Sequence, residues 1–158
     1  MAMIIPIWAR TTDAFVKDDH KWLNNMFKQL VYMLILFGMG IVLIVLLFKP
    51  ITFIWLKQNL NIPFMVVIVI ALGTFAEMVN ASFYSILNGM NLMKIQLYIA
   101  IIQIIVNIPL SVLLAQNIGL GPMGVKMATT LLFIFSGLIY LIYTYFKIRR
   151  LSFKIGEQ

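Results

Sequence analysis

The sequence predicts an all-α integral membrane protein with four antiparallel transmembrane helices, preceded by a short interfacial amphipathic helix, and with both termini in the cytoplasm. Of its 158 residues, 63% are hydrophobic and 11% are charged, whereas soluble domains carry about 25% charged residues. Basic residues separate long uncharged blocks rich in Leu, Ile, Val and Phe, which is typical of membrane spans. These blocks are residues 29–48, 58–76, 95–125 and 127–146.

Residues 1–28 combine two different patterns. Met1–Trp8 resembles the last turns of a hydrophobic helix whose beginning is missing, and it lacks the basic start and the apolar length of a signal peptide. From residue 9 to 28, side chains such as Phe15 and Trp22 recur near helical spacing among charged ones, which predicts an amphipathic helix at the membrane interface. Asp18 or Asp19 is a suitable N-cap for this helix.

The four spans are predicted from apolar length and from the helix-breaking residues between them. The first span ends at Lys49-Pro50, and Pro63 lies in the first turn of the second. Pro109 removes a backbone donor from the third span, which predicts a bend there. Glycines and a proline within residues 116–124 predict a sharp reversal before the fourth. The predicted bounds are 29–48, 63–87, 95–115 and 125–146, within a transmembrane domain of residues 29–148 that a basic cytoplasmic tail, residues 149–158, follows.

Lysine and arginine are distributed unequally between the two sides of the predicted bundle. One side receives nine of them, and the other receives Lys49, Lys57 and Lys126. Because cytoplasmic loops are enriched in Lys and Arg, this places both termini in the cytoplasm. The net charge of +7 flanks the spans and forms no contiguous patch, so we expect no nucleic acid partner. The nine residues are Arg10, Lys17, Lys21, Lys28, Lys94, Lys147, Arg149, Arg150 and Lys154.

Residue types that support catalysis or metal binding are scarce. The chain has no cysteine and one histidine, which excludes disulfides, thiolate metal sites and a cysteine nucleophile. Asp18-Asp19-His20 is not expected to bind a metal, because adjacent residues on a helix point apart and no second cluster completes a ligand set. We therefore expect no catalytic residue, no metal and no cofactor.

Glu77 is the one acidic residue between Lys28 and Lys147, and it lies inside an apolar segment. A charged side chain at the centre of a membrane helix costs about 2.5–3.5 kcal/mol, so intramembrane carboxylates are functional candidates. Helical spacing places Tyr84 and Asn88 on the same face as Glu77, with Asn80 beside it. Gln103 and Asn107 belong to a second polar stripe, in the third span, and the fourth span has a weaker third stripe. The other members are Thr74 and Ala81 in the second span, Gln96, Ala100 and Ser111 in the third, and Thr129, Ser136, Tyr140 and Tyr143 in the fourth.

Two interpretations of these stripes remain open. In one, Glu77, Asn80, Tyr84, Asn88, Gln103 and Asn107 line an aqueous cavity that accepts a polar cargo. In the other, the amides and hydroxyls join helices through hydrogen bonds worth about 0.6 kcal/mol each. Glu77 would then be hydrogen-bonded to Asn80 or to a neighbouring helix.

Pro6–Phe15, followed by Asp18, Asp19 and Trp22, resembles the cytoplasmic segment P-x-W-x-x-x-T-(D/E)-A … D … W of bacterial polysaccharide flippases. These proteins export O-antigen or related lipid-linked oligosaccharides and belong to the multidrug/oligosaccharidyl-lipid/polysaccharide (MATE-like) superfamily. The later strings resemble their N-G … K-x-Q and N-x-P-L-S … G-x-x-G-(A/V)-x-x-A-T patterns. These strings are Phe83–Gly89 with Lys94–Gln96, Asn107–Ser111, and Gly119–Val125 with Ala128 and Thr129.

The resemblance covers essentially the whole chain and corresponds to the C-terminal third of such a transporter. It implies a function in the bacterial inner membrane, where the intact transporter moves lipid-linked oligosaccharide by alternating access between two lobes. It also implies membrane lipid as a partner, and the missing N-terminal lobe as a separate chain if the gene is split. The alternative from a different class is a structural or assembly membrane protein that does not transport and is a degenerate remnant of a transporter.

Overall fold

The computed structural model describes residues 4–58 and 61–153, which form helices and no strand. The helices are α1 (Ile4–Val16), α2 (His20–Leu46), α3 (Phe48–Leu56), α4 (Phe64–Gly89), α5 (Met93–Val112) and α6 (Pro122–Phe153), with a π-helical turn at Leu113–Asn117 that extends α5. Four helices are long and apolar enough to cross a membrane: α2, α4, α5 with its π turn, and α6. The predicted all-α fold with four spans is thereby confirmed, and the chain is a multi-pass membrane protein.

The observed helices are longer than the predicted spans at both ends of the bundle. α2 begins at His20, so the predicted first span and the preceding amphipathic turns are one continuous helix. α6 continues to Phe153, so residues 149–153, the first part of the predicted tail, are helical. The first span ends at Leu46, and Pro50 lies instead in the first turn of α3, where its missing N–H has no helical acceptor to lose.

Asp18 and Asp19 divide the segment that was expected to form a single interfacial helix. α1 ends because Asp18 adopts a left-handed conformation, with φ of 53°. Asp19 N–H then donates to Ala14 O at 2.9 Å, which satisfies a terminal carbonyl. The Asp19 carboxylate accepts from Trp22 N–H at 3.0 Å and caps α2. One aspartate therefore ends α1 and the other begins α2.

The left-handed residue of the turn between α4 and α5 is Asn91 and not the nearby Gly89. Asn91 has φ of 55°, and Leu92 N–H donates to Leu87 O at 2.8 Å, which is the hydrogen-bond pattern of a Schellman cap. Gly89 is still helical. It lies against α1, where a Cβ would be 2.6 Å from Thr11 Cβ and 3.1 Å from Trp8 O. Gly89 is therefore needed for the close approach of α1 to α4, and not for the turn itself.

The second turn forms where the sequence predicts a reversal. The π turn closes with Ile118 N–H donating to Leu113 O at 3.0 Å, and Gly119 and Gly121 follow with φ of 79° and 55°. α6 then returns so close to α5 that a Cβ on Gly124 would lie 2.6 Å from the Leu114 carbonyl carbon. Pro109 is inside α5; the bend expected there stays a prediction.

The other three long helices pack around α6. Hydrogen bonds join Thr130 to Val69 and Tyr140 to Tyr84, so α4 and α6 run in parallel. α5 runs antiparallel along another side of α6, and α2 covers α4 and α6 with its first half. The buried core lies at the end that contains α1 and the α4–α5 turn, which we call the α1 end. Its members include Ala14, Leu23, Met26, Leu30, Phe83, Ile86, Leu87, Met90, Tyr140 and Ile148.

Candidate functional site

Amide and hydroxyl side chains of α4, α5 and α6 form three groups of hydrogen bonds along the bundle, which together we call the polar seam. α6 lies between the other two helices, because Ser136 of α6 is bonded both to α4 and to α5. The seam comprises Asn80, Tyr84, Asn88, Gln96, Gln103, Asn107, Ser111, Thr129, Ser136 and Tyr140.

The centre of the seam joins three helices through Ser136. Its hydroxyl donates to Asn80 Oδ1 at 2.7 Å, and it accepts from Gln103 Nε2 at 2.9 Å. Asn80 Nδ2 donates to the carbonyl oxygens of Ala76 and Phe133, both at 2.7 Å. Asn80 and Ser136 are buried, and every polar atom of the Asn80 amide has a partner. In an apolar surrounding such a closed network holds helices at a defined spacing and rotation.

The remaining contacts continue the seam in both directions. Toward the π turn, Asn107 Nδ2 donates to Thr129 Oγ1 at 3.3 Å, and Ser111 Oγ donates to Asn107 Oδ1 at 2.8 Å. Toward the α1 end, the rings of Tyr84 and Tyr140 have centroids 5.0 Å apart, and the Tyr140 hydroxyl donates to that of Tyr84 at 3.4 Å.

The last contact lies at the α4–α5 turn. Gln96 Nε2 donates to Asn88 Oδ1 at 2.9 Å and approaches Tyr84 O at 3.4 Å. The two motif strings that contain Asn88 and Gln96 therefore meet directly in space.

Glu77 lies beside the seam and is not bonded to it. Its side chain is exposed, and among residues 4–58 and 61–153 no hydrogen bond or ion pair to it is formed. The bond to Asn80 that one of the two interpretations allows is not formed, because both N–H groups of the Asn80 amide donate to the Ala76 and Phe133 carbonyl oxygens. Glu77 is therefore the seam's unpaired charge rather than a part of its network.

The polar seam contains five of the six predicted candidates: Asn80, Tyr84, Asn88, Gln103 and Asn107. Sequence reasoning overlooked Gly73 and Gly137 of the α4–α6 interface. A Cβ on Gly137 would lie 3.2 Å from Asn80 Nδ2, and one on Gly73 would lie 2.6 Å from Thr130 Oγ1. Glycines inside long apolar spans were the available signal, because small residues permit close packing of membrane helices.

The side of α4 and α6 that faces away from the polar seam is apolar. A cleft of about 250 Å³ opens between these helices and α2, and apolar side chains such as Leu34, Phe75 and Leu138 line it. This surface suits lipid chains rather than a polar cargo.

Asp18, Asp19 and His20 also behave differently from a metal site. The two aspartates form helix boundaries, and His20 Nε2 is 3.8 Å from Asp18 Oδ1. Within the described ranges, no group of three His, Asp or Glu residues comes together.

Removing the central amide should destabilise the bundle more than removing a peripheral hydroxyl. Asn80→Leu removes the three hydrogen bonds of this amide at once, so the Phe133 carbonyl and the Ser136 hydroxyl each lose a partner and keep the weaker contact with each other at 3.2 Å. We expect a loss of about 1–3 kcal/mol in the free energy of unfolding. Ser111→Ala removes one peripheral bond, for which about 0.6 kcal/mol is expected. Denaturation of the two variants in detergent measures the difference. Equal losses would contradict a central role for Asn80.

Comparison with known proteins identifies the family of this chain. The family model described as MatE matches residues 9–113. The chain belongs to the MatE family. No curated protein and no solved structure matched the chain. The MatE match runs from α1 through α5 and includes the α4 and α5 parts of the polar seam. Members of the MatE family are transporters, so the seam belongs to a membrane transporter domain.

Proposed function

We propose that this MatE-family chain takes part in moving lipid-linked oligosaccharide across the bacterial inner membrane, with no enzymatic step of its own. The observation that carries the proposal is the meeting of the strings that resemble polysaccharide flippases. Thr11, in the N-terminal string, is fully buried against Gly89, in the N-G string. Gln96 of the K-x-Q string bonds Asn88 of the N-G string. The N-terminal string, which is far from the other two in sequence, thus meets the N-G string at the α1 end, and the K-x-Q string bonds the N-G string there.

The chemistry of the polar seam supports a carbohydrate cargo. Sugars present many hydroxyls, and amide and tyrosine side chains can both donate to and accept from them. The seam offers such groups along the length of three helices while remaining nearly uncharged. Asn107, Gln103 and Tyr84 are only partly buried, so their polar atoms can exchange an internal bond for one to a ligand.

In this function both termini lie in the cytoplasm, and a second body of helices completes the transporter. The α1 end carries Arg10, Lys28 and Lys94, in keeping with the enrichment of basic residues on the cytoplasmic side. Alternating access requires two bodies that rock about a shared site. The second lobe, as a separate chain or within a longer polypeptide, would face the seam and supply cations for the diphosphate of the cargo.

A second candidate is a structural or assembly role in the membrane without transport. The specific observation in its favour is the saturation of the Asn80–Ser136–Gln103 network, whose bonds join helices to one another. On this hypothesis the seam stabilises the bundle and binds nothing. Deleting the gene would then leave polysaccharide export intact.

Glu77→Gln is the variant that tests transport. We expect the intact transporter containing this change to export less polysaccharide, because the charge beside the seam is lost while size is conserved. Surface polysaccharide is measured in cells whose own copy is deleted and which express the variant at wild-type level. Tyr98→Phe, on the exposed face of α5 and outside the seam, is the matched control and should export normally. Unchanged export with Glu77→Gln would remove Glu77 from the mechanism.

A further inference from the structure

Lys126 extends toward the middle of the membrane span rather than toward its end. Thr130 Oγ1 lies 2.6 Å from the position of a Cβ on Gly73, so Thr130 and Gly73 are at the same level. Lys126 begins one turn earlier on α6, yet its Nζ is 3.2 Å from that same Cβ position. A lysine near a helix end usually directs its ammonium to the nearby interface. Because the Lys126 side chain runs the opposite way, we infer that a group deeper in the bundle attracts its ammonium.

Glu77 is the acid in a position to supply that attraction. It follows Gly73 by four residues, so the two positions are neighbours on one face of α4, with Cβ atoms about 5–6 Å apart. Helical side chains lean toward the preceding turn, which directs the Glu77 carboxylate back toward Gly73. Between residues 29 and 146 the sequence contains no other acidic residue.

Both charged groups neighbour Gly73, and they form no ion pair with each other in this structure. Lys126 is partly buried and Glu77 is exposed, and the ion pairs formed within the described ranges are Lys17–Asp13 and His20–Asp18. Both side chains are flexible, and Gly73 has no side chain that would separate them. Intramembrane charges are costly alone and are usually paired.

We infer that Lys126 is the partner of Glu77, and that the two form an ion pair between α6 and α4 that is open in this structure. Closed, the pair makes this side of the seam neutral. Open, it presents a carboxylate and an ammonium separately. Lys126 is thus a positioning residue for the Glu77 charge, and its effect on transport rests on the proposed function above.

A zero-length cross-linker tests the pair directly. A membrane-permeant carbodiimide activates a carboxyl and lets an adjacent amine displace it, which forms an amide and releases a urea. In the wild-type chain in detergent we expect a Glu77–Lys126 amide, detected by mass spectrometry of the digested protein. The Asp13–Lys17 pair, with 2.9 Å between Nζ and Oδ1, is the positive control. Glu77 modified only as the N-acylurea would show that the reagent arrived and that no amine was near, which overturns the inference.

A double-mutant cycle gives an independent readout, and it decides the matter if the reagent leaves Glu77 unmodified. Glu77→Gln and Lys126→Gln should each lower the Tm, and the double variant should recover about 2–4 °C relative to the sum of the two losses. The exchanged variant, Glu77→Lys with Lys126→Glu, should recover a similar amount. Pairing Glu77→Gln with the distant Lys94→Gln is the matched control and should be additive. Additive losses for Glu77 and Lys126 would refute the pair, and neither experiment depends on transport.

Discussion

Replacing Gly124 by alanine is expected to cost about 3 kcal/mol or more of the free energy of unfolding. The added Cβ would lie 2.6 Å from Ala115 N and from the Leu114 carbonyl carbon, and 2.7 Å from Leu114 O. Overpacking usually costs about 1–3 kcal/mol because side chains can shift. Here the clash is with backbone that the π turn holds, so relief requires moving α5 away from α6. Thermal or denaturant unfolding in detergent measures the loss.

Gly40→Ala is the matched control for this substitution. Gly40 is also inside a membrane helix, but a Cβ there would meet nothing within 4 Å. Alanine is the better helix former, so this variant should be as stable as the wild type or slightly more stable. If Gly124→Ala were equally harmless, the close contact between the π turn and α6 would be refuted.

Replacing Gly89 by alanine should detach α1 from the α1 end of the bundle. The new Cβ would lie 2.6 Å from Thr11 Cβ and 2.8 Å from Thr11 Cγ2, and Thr11 is fully buried. We expect about 1–3 kcal/mol of destabilisation from overpacking. Because the affected contact holds α1 against α4, the loss should be concentrated there.

Hydrogen exchange measured helix by helix distinguishes this local effect from general unfolding. In Gly89→Ala the amides of α1 should exchange faster, while those at the centre of α4 and α6 keep most of their protection. Gly40→Ala, tested alongside, should leave α1 protected. Wild-type protection of α1 in the Gly89 variant would contradict the packing of Thr11 against this glycine.

The spans were predictable because membrane crossing depends on length and apolar composition, which are local properties of the chain. The helix boundaries were less predictable. Asp18 and Asp19 are both suitable cap residues, and composition does not tell that one ends α1 and the other begins α2. The composition of residues 88–91 is typical of a tight turn, but it does not tell that Asn91 takes the left-handed position and that Gly89 accommodates α1.

The polar stripes were predictable for a similar reason, since helical spacing alone determines which side chains share a face. Spacing does not determine which helix that face meets. The pairing of Asn80 with Ser136 and Gln103 depends on the rotation and neighbours of three helices. The position of Lys126 over Gly73 depends in addition on the small distance between α4 and α6.

By itself, the sequence determined the membrane class, the four spans, the polar faces of the helices and the isolated position of Glu77 among apolar residues. These follow from hydropathy and helical periodicity, which act along the chain. Only the tertiary structure decided that the Asn80 amide bonds Phe133 and Ser136, that Glu77 is unpaired and that the Lys126 ammonium lies beside Gly73. Those outcomes depend on contacts between residues more than 40 positions apart, which packing of the helices brings together.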